Sequence, residues 1–226
     1  MTMPLRSGPL LRCRVREPVR SPRRLLLLLH GVGADETQLE PLAIAAPDDA
    51  VVVLARAPLT FGEGRFGRFD VRFAADGPRP DLAAAESSRV LLADFVTAIQ
   101  AEFAVPAART VIAGFSQGGI MSASGGLTQP DVLSGFGVMA GRILPEIESR
   151  IAGRSALAHL RAFVCHGQDD SKLPVEWAHR ANALLETLGV SCEAHLNSGG
   201  HELLPSMQSR FLTWFARTTA DEVDTI

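Results

Sequence analysis

The chain has 226 residues, 46% of them hydrophobic and 21% charged, with a formal net charge of −3. That is enough chain for one domain with a full core, and the composition lies outside the disordered range. The mild negative charge excludes a global field that would gather nucleic acid or an anionic membrane surface.

Seven arginines (Arg6, Arg12, Arg14, Arg16, Arg20, Arg23 and Arg24) cluster near the start. Leu11, Cys13 and Val15 alternate with Arg12, Arg14 and Arg16, a period of two that predicts a half-exposed strand at a sheet edge. The arginines then lie on its solvated face. No aromatics interleave them, which argues against an RNA-binding arm. Leu25–Leu29 is continuously apolar, as a central strand covered on both faces must be. It is only five residues long and is followed by His30 and Gly31, too short for a secretory segment or a membrane span. Val51–Ala55, Thr110–Ala113 and Phe163–Cys165 repeat the continuous type. Alternation returns at Val190–Leu196, with Val190, Cys192, Ala194 and Leu196 expected on one face and Ser191, Glu193 and His195 on the other.

Helical spacing falls between these strands. Leu92, Val96, Ile99 and Phe103 share a face, and Pro106 stops that helix. Trp177, Ala181, Leu184 and Leu188 repeat the pattern, with Pro174 suited to the first turn and Gly189 to the end. Met207, Phe211, Trp214 and Phe215 mark a last amphipathic helix. Strands alternating with helices predict an α/β fold with a doubly wound, mostly parallel sheet. A single domain over 1–226 is expected, with 1–9 and 218–226 as tails. The stretch 56–80 fits neither period and contains four glycines and three prolines, so it is expected to be an extended loop. Its Phe61, Phe66, Phe69 and Phe73 either line an acyl pocket or pin the loop to the body. Cys13, Cys165 and Cys192 cannot all pair with one another, and no Cys-x-x-Cys is present, so neither a zinc knuckle nor a thiol redox site is indicated. A cytoplasmic setting is expected.

The chemistry centres on Gly114-Phe115-Ser116-Gln117-Gly118. A bare G-x-S-x-G arises by chance in about 8% of chains this long. Here it follows a buried strand and precedes a helix, the setting a nucleophile elbow requires. A serine hydroxyl needs a histidine base, itself oriented by a carboxylate, and in this arrangement the chain order is Ser, Asp, His. Of six histidines, His30 precedes Ser116, His179 lies within a helix, and His195 lies on the alternating strand. His201, behind Gly199-Gly200 and after the last strand, is the candidate base. The acid should follow the strand Phe163–Cys165, where Asp169 and Asp170 are adjacent and spacing does not separate them. One oxyanion donor is the N–H of Gln117, and the other comes from the turn His30-Gly31-Val32-Gly33. That turn lacks the third glycine of a dinucleotide fingerprint and the lysine of a P-loop.

These residues resemble the phospholipase/carboxylesterase family, which includes the acyl-protein thioesterases. The resemblance runs from about Leu25 to Phe215. It is carried by Leu29-His30-Gly31-Val32-Gly33, by Gly114-Phe115-Ser116-Gln117-Gly118-Gly119, by His166-Gly167 with Asp170 and Pro174, and by Gly200-His201. It implies an α/β-hydrolase without a large lid domain, needing no metal or other cofactor and often forming a homodimer. It selects Asp170 over Asp169 and Val32 as the second oxyanion donor, and it implies hydrolysis of small-molecule carboxylic esters or thioesters. Phe66, Phe69 and Phe73 are the candidate substrate contacts, and neither nucleic acid nor membrane insertion is expected. Ala140 stands where many relatives have serine, and the segment 65–80 departs from the depalmitoylating members. Rival readings are a peptidase or lactone-type hydrolase on the same scaffold, a ligand-binding homologue without catalysis, and a nucleic-acid protein using the N-terminal arginines.

Overall fold

The computed structural model describes residues 3–74 and 77–220, and for residues 73, 74, 77 and 78 the backbone alone. In chain order the strands are β1 (Arg6–Ser7), β2 (Arg12–Arg16), β3 (Arg24–Leu29), β4 (Ala50–Ala55), β5 (Leu59–Gly62), β6 (Arg65–Gly67), β7 (Val71–Ala74), β8 (Gly77–Pro80), β9 (Thr110–Phe115), β10 (Gly135–Met139), β11 (Arg161–Gly167) and β12 (Ser191–Asn197). The helices are α1 (Glu40–Ala45), α2 (Leu82–Phe103), α3 (Gln117–Thr128), α4 (Arg154–Leu157), α5 (Glu176–Leu188) and α6 (Pro205–Thr218). Eight strands form one sheet in the order β1-β2-β4-β3-β9-β10-β11-β12. The pairs β1–β2 and β2–β4 are antiparallel and the rest are parallel.

Side chains alternate across a strand, so a strand covered on both faces must be apolar throughout. Leu25, Leu27 and Leu29 of β3 pack with Phe95 of α2 and Ile120 of α3, while Leu26 and Leu28 pack with Leu42 of α1 and Phe211 of α6. The doubly wound, mostly parallel sheet expected from the alternation of elements is the one observed. No helix among the described residues is long and apolar enough to cross a membrane.

Four details depart from the expectations. The strand β10 carries Gly135 and Gly137, which dilute its apolar signal. A Cβ at Gly137 would lie 2.9 Å from the Phe211 ring, so the glycine is what lets α6 close on the sheet. The stretch 56–80 is two short hairpins, β5–β6 and β7–β8, rather than an extended loop. Each of these strands is only three or four residues long, too short for alternation to show in its sequence. On β12, cover from the α5 side reaches Val190 and Cys192 but leaves Leu196 41% exposed, while His195 packs on Phe163. Segment 1–9, expected as a tail, contributes β1, which pairs with Arg12 and Cys13.

Arg12 of β2 is exposed, as expected, but Arg14 and Arg16 are not on a solvated face. Arg16 is 5% exposed and its guanidinium donates to the carbonyls of Ala46, Pro47 and Ala50. Arg14 donates to Met3 O and to Glu36 Oε1. Glu36, on the short 3-10 turn Glu36–Leu39 after β3, is buried and also takes two bonds from Arg56, at 2.6 and 2.9 Å. One carboxylate thereby ties together β2, the turn after β3 and the entry to the first hairpin. Burial alone would raise the Glu36 pKa, but the bonds from Arg56 and Arg14 outweigh it and bring it to about 2. Its stabilisation is complete above the ordinary value of 4.5 and is lost as pH falls through 2. Glu36→Gln strands two partly buried guanidinium groups and should cost about 3 kcal/mol at pH 7. Urea denaturation at pH 7 and pH 3 checks this, and the gap between variant and wild type should narrow at the lower pH.

Candidate active site

Parallel strands bring their carboxyl ends to one edge, and the loops leaving those ends converge there. The loop after β9 is the sharpest. Ser116 has φ 53° and ψ −116°, a conformation a side chain adopts only when its surroundings enforce it. Its N–H donates to Met139 O and its carbonyl accepts from Ile120 N, so both ends of the turn are held. The flanking glycines are sterically required. A Cβ at Gly114 would lie 2.2 Å from the Gly118 carbonyl carbon, and one at Gly118 would lie 2.0 Å from Leu29 O. The turn therefore presents Ser116 Oγ outward while α3 starts directly against the end of β3.

His201 arrives from the loop after β12. Its Nε2 lies 2.9 Å from Ser116 Oγ and its Nδ1 lies 2.6 Å from Asp170 Oδ2. Asp170 is 5% exposed, and its Oδ1 accepts the N–H groups of Lys172 and Leu173 at 2.9 Å each. Burial would raise its pKa. The bonds from Leu173, His201 and Lys172 prevail and hold the carboxyl below its usual range, so it is ionised at neutral pH. The adjacent Asp169 is exposed, and its N–H donates to Gly199 O. The two aspartates that spacing left equivalent thus have different surroundings, and only Asp170 meets the histidine. Gly167 allows the acid and histidine loops to touch, since a Cβ there would lie 2.3 Å from Gly200 O.

The turn after β3 closes the site from the other side. Gly31 N donates to Gln38 Oε1 at 2.7 Å and Gly33 N to Phe66 O at 2.8 Å. Val32 N lies between them, uncommitted among the described residues. Gln117 is the first residue of α3, where N–H groups have no partner within the helix and the helix dipole favours negative charge. Its side chain anchors the neighbouring hairpin region, with Oε1 accepting from Arg68 N at 2.7 Å and Nε2 donating to Phe69 O at 2.8 Å.

The aromatic residues expected from the sequence to contact substrate lie in different places. Phe69 is 2% exposed within the core. Phe66 is half-buried, pairs with Ala34 and stacks under the Arg56 guanidinium at 4.3 Å. The side chain of Phe73 lies outside the described residues. Sequence reasoning did not single out Arg68, a 2% exposed guanidinium that donates to His30 O and Ala55 O at the ends of β3 and β4. Desolvation lowers its pKa, but a guanidinium starts high enough to stay charged at neutral pH. Among the described residues no three His, Cys, Asp or Glu side chains come together as metal ligands would.

With fold and site described, comparison with known proteins decides the family. The sequence model of phospholipase/carboxylesterase proteins matches residues 12–217. The chain belongs to the phospholipase/carboxylesterase family. Within the known structures, esterase PE8 superposes with a TM-score of 0.80 at 25% identity, over 94% of this chain and 98% of that one. A carboxylesterase from Mesorhizobium loti gives 0.82 at 22% identity, over 95% and 98%. Acyl-protein thioesterase 2 from Zea mays gives 0.76 at 19% identity, over 95% and 100%, a likeness of fold.

The histidine that opens the family's His-Gly turn is a clip. His30 is 1% exposed; its Nδ1 donates to Gly31 O and its Nε2 accepts from Ala57 N. Burial, reinforced by the Arg68 charge, lowers its pKa to about 4. Between pH 6.5 and 4 the unfolded chain takes up a proton that the folded one refuses, so the stability at stake is present above 6.5 and declines on acidification. The loss across that window should be roughly 3 kcal/mol. Urea denaturation from pH 7 to pH 4 should show it, with a shallower slope in His30→Asn.

Proposed function

We propose that this protein is a serine hydrolase that cleaves carboxylic esters or thioesters through Ser116, His201 and Asp170. The observation that carries the reading is the continuous bonding from Ser116 Oγ through both nitrogens of His201 to Asp170 Oδ2. In that order His201 Nε2 takes the serine proton as Oγ attacks the acyl carbon. Asp170 fixes the tautomer and stabilises the imidazolium. The N–H groups of Val32 and Gln117 receive the charge that develops on the carbonyl oxygen. His201 then protonates the departing oxygen or sulfur. Water, deprotonated by the same histidine, releases the acid from the acyl-enzyme.

Family membership supports ester chemistry, and related structures include carboxylesterases and an acyl-protein thioesterase. The hairpin carrying Phe66 borders the oxyanion turn: a Cβ at Gly67 would lie 3.1 Å from Val32 Cγ2 and 3.2 Å from Gln117 Oε1. On this reading the acyl group lies along that hairpin.

Ser116→Ala should lower kcat for p-nitrophenyl butyrate by about three to six orders of magnitude and abolish labelling by a fluorophosphonate probe. Near-normal turnover in that variant would defeat the assignment. Asp170→Asn should cost about 10⁴-fold in kcat, whereas Asp169→Asn should stay near wild type. Equal, mild losses in the two would place the acid elsewhere.

A further inference from the structure

A cavity of about 260 Å³ opens beside His201 on the α1–α6 face of the sheet. Leu39, Pro41, Leu42, Phe115 and Leu203 line it, and so does His201. Two of its lining residues meet the nucleophile around Gly31, where a Cβ would lie 3.4 Å from each of Gln38 Oε1, Phe115 Cδ1 and Ser116 Cβ. Two of the polar atoms in the wall are committed elsewhere. Gln38 Oε1 accepts from Gly31 N, and Gln208 Nε2 donates to Leu203 O. Among the described residues, the one other charged group is Glu202, exposed at the lip.

We infer that this cavity holds the leaving group of the ester, and that the leaving group is a neutral, apolar alcohol. The inference rests on the proposed roles of Ser116 and His201. As the Oγ–acyl bond forms and the ester C–O bond breaks, the proton on His201 Nε2 passes to the alcohol oxygen. The departing group must therefore lie against His201, and this cavity has His201 in its wall. The opposite flank, along the Gly67 hairpin beside Val32 and Gln117, is the one the proposed function gives to the acyl group. At interior packing density the volume takes at most roughly ten non-hydrogen atoms, the size of a benzyl or hexyl group. Among the described residues no lysine or arginine lines it to hold a phosphate or sulfate, and the Glu202 carboxylate repels an anionic leaving group. Leu39, Pro41, Leu42, Phe115 and Leu203 make up most of the wall, and a strongly hydrated alcohol would lose its water against them.

The test separates binding from turnover. 4-Fluorobenzyl alcohol is titrated by ¹⁹F NMR into wild type, Ser116→Ala, Gln208→Trp and Leu203→Trp, the last two being half-exposed positions where an indole fills the cavity. Wild type and Ser116→Ala should bind alike, and both tryptophan variants should weaken binding about tenfold or more. In kinetics, the kcat/KM ratio of benzyl acetate to methyl acetate should fall by about the same factor in both tryptophan variants. Absence of binding to wild type, or equal affinity in the folded tryptophan variants, overturns the inference. Full benzyl acetate turnover by Ser116→Ala would instead overturn the nucleophile assignment, while the alcohol titration still decides the cavity.

Discussion

The first turn of α3 stands closer to the end of β3 than any residue with a side chain would allow. Gly118 sits against Leu29 O and Gly114 against Gly118, at distances where a Cβ would overlap backbone atoms. Two neighbouring parallel strands can therefore deliver a tight turn and a helix start into the same small volume. The turn after β3 and the turn after β9 become one continuous surface, and every other part of the site is placed relative to it. The acid and histidine loops follow the same rule, with Gly167 permitting their contact. Geometry at this edge is set by backbone approach, and side chains are added to it.

A second regularity concerns the carbonyls that parallel strands leave unpaired at that edge. Such groups need donors, and guanidinium groups supply several from one side chain. Arg68 serves His30 O and Ala55 O, and lower on the sheet Arg16 serves Ala46, Pro47 and Ala50. The hairpin region is thereby bonded to the strand ends by Arg68, by the Gln117 side chain and by Arg56 on Glu36. Gln117 thus joins the hairpin to the first turn of α3, so the hairpin's position and the turn at Ser116 are coupled.

Much of this was legible in the sequence because it follows from periodicity and steric need. Unbroken apolar runs such as Leu25–Leu29 can only be strands covered on both faces, and glycines flanking Ser116 after such a run imply a strained turn. The order of strand, aspartate and histidine placed His201 and the aspartate pair near one another. What stayed hidden had no periodic signature. To spacing alone Asp169 and Asp170 stay equivalent, and only the family resemblance separates them, because they differ in which way each faces, a property of the loop. Gly137 of β10 answers to Phe211, more than seventy residues away. The hairpins of 59–80 are built from strands of three or four residues, too short for a period to show. Arg16 reads as a surface cation until its carbonyl partners are in place.

The composition of α3 has a consequence for how the molecule comes into being. Its twelve residues, Gln117–Thr128, include four glycines, and eleven of them are buried. Each glycine disfavours a helix by about 1 kcal/mol relative to alanine, so the segment has no tendency to coil alone. It becomes helical only against β3, β9 and β10, which must already be side by side. The left-handed conformation of Ser116 is imposed at that same moment. A chain still emerging, or one partly opened by stress, therefore carries an ordinary serine on a flexible strand end, chemically silent. On the role proposed for Ser116, reactivity appears only with the finished sheet, and covalent labelling of this serine would read out complete folding.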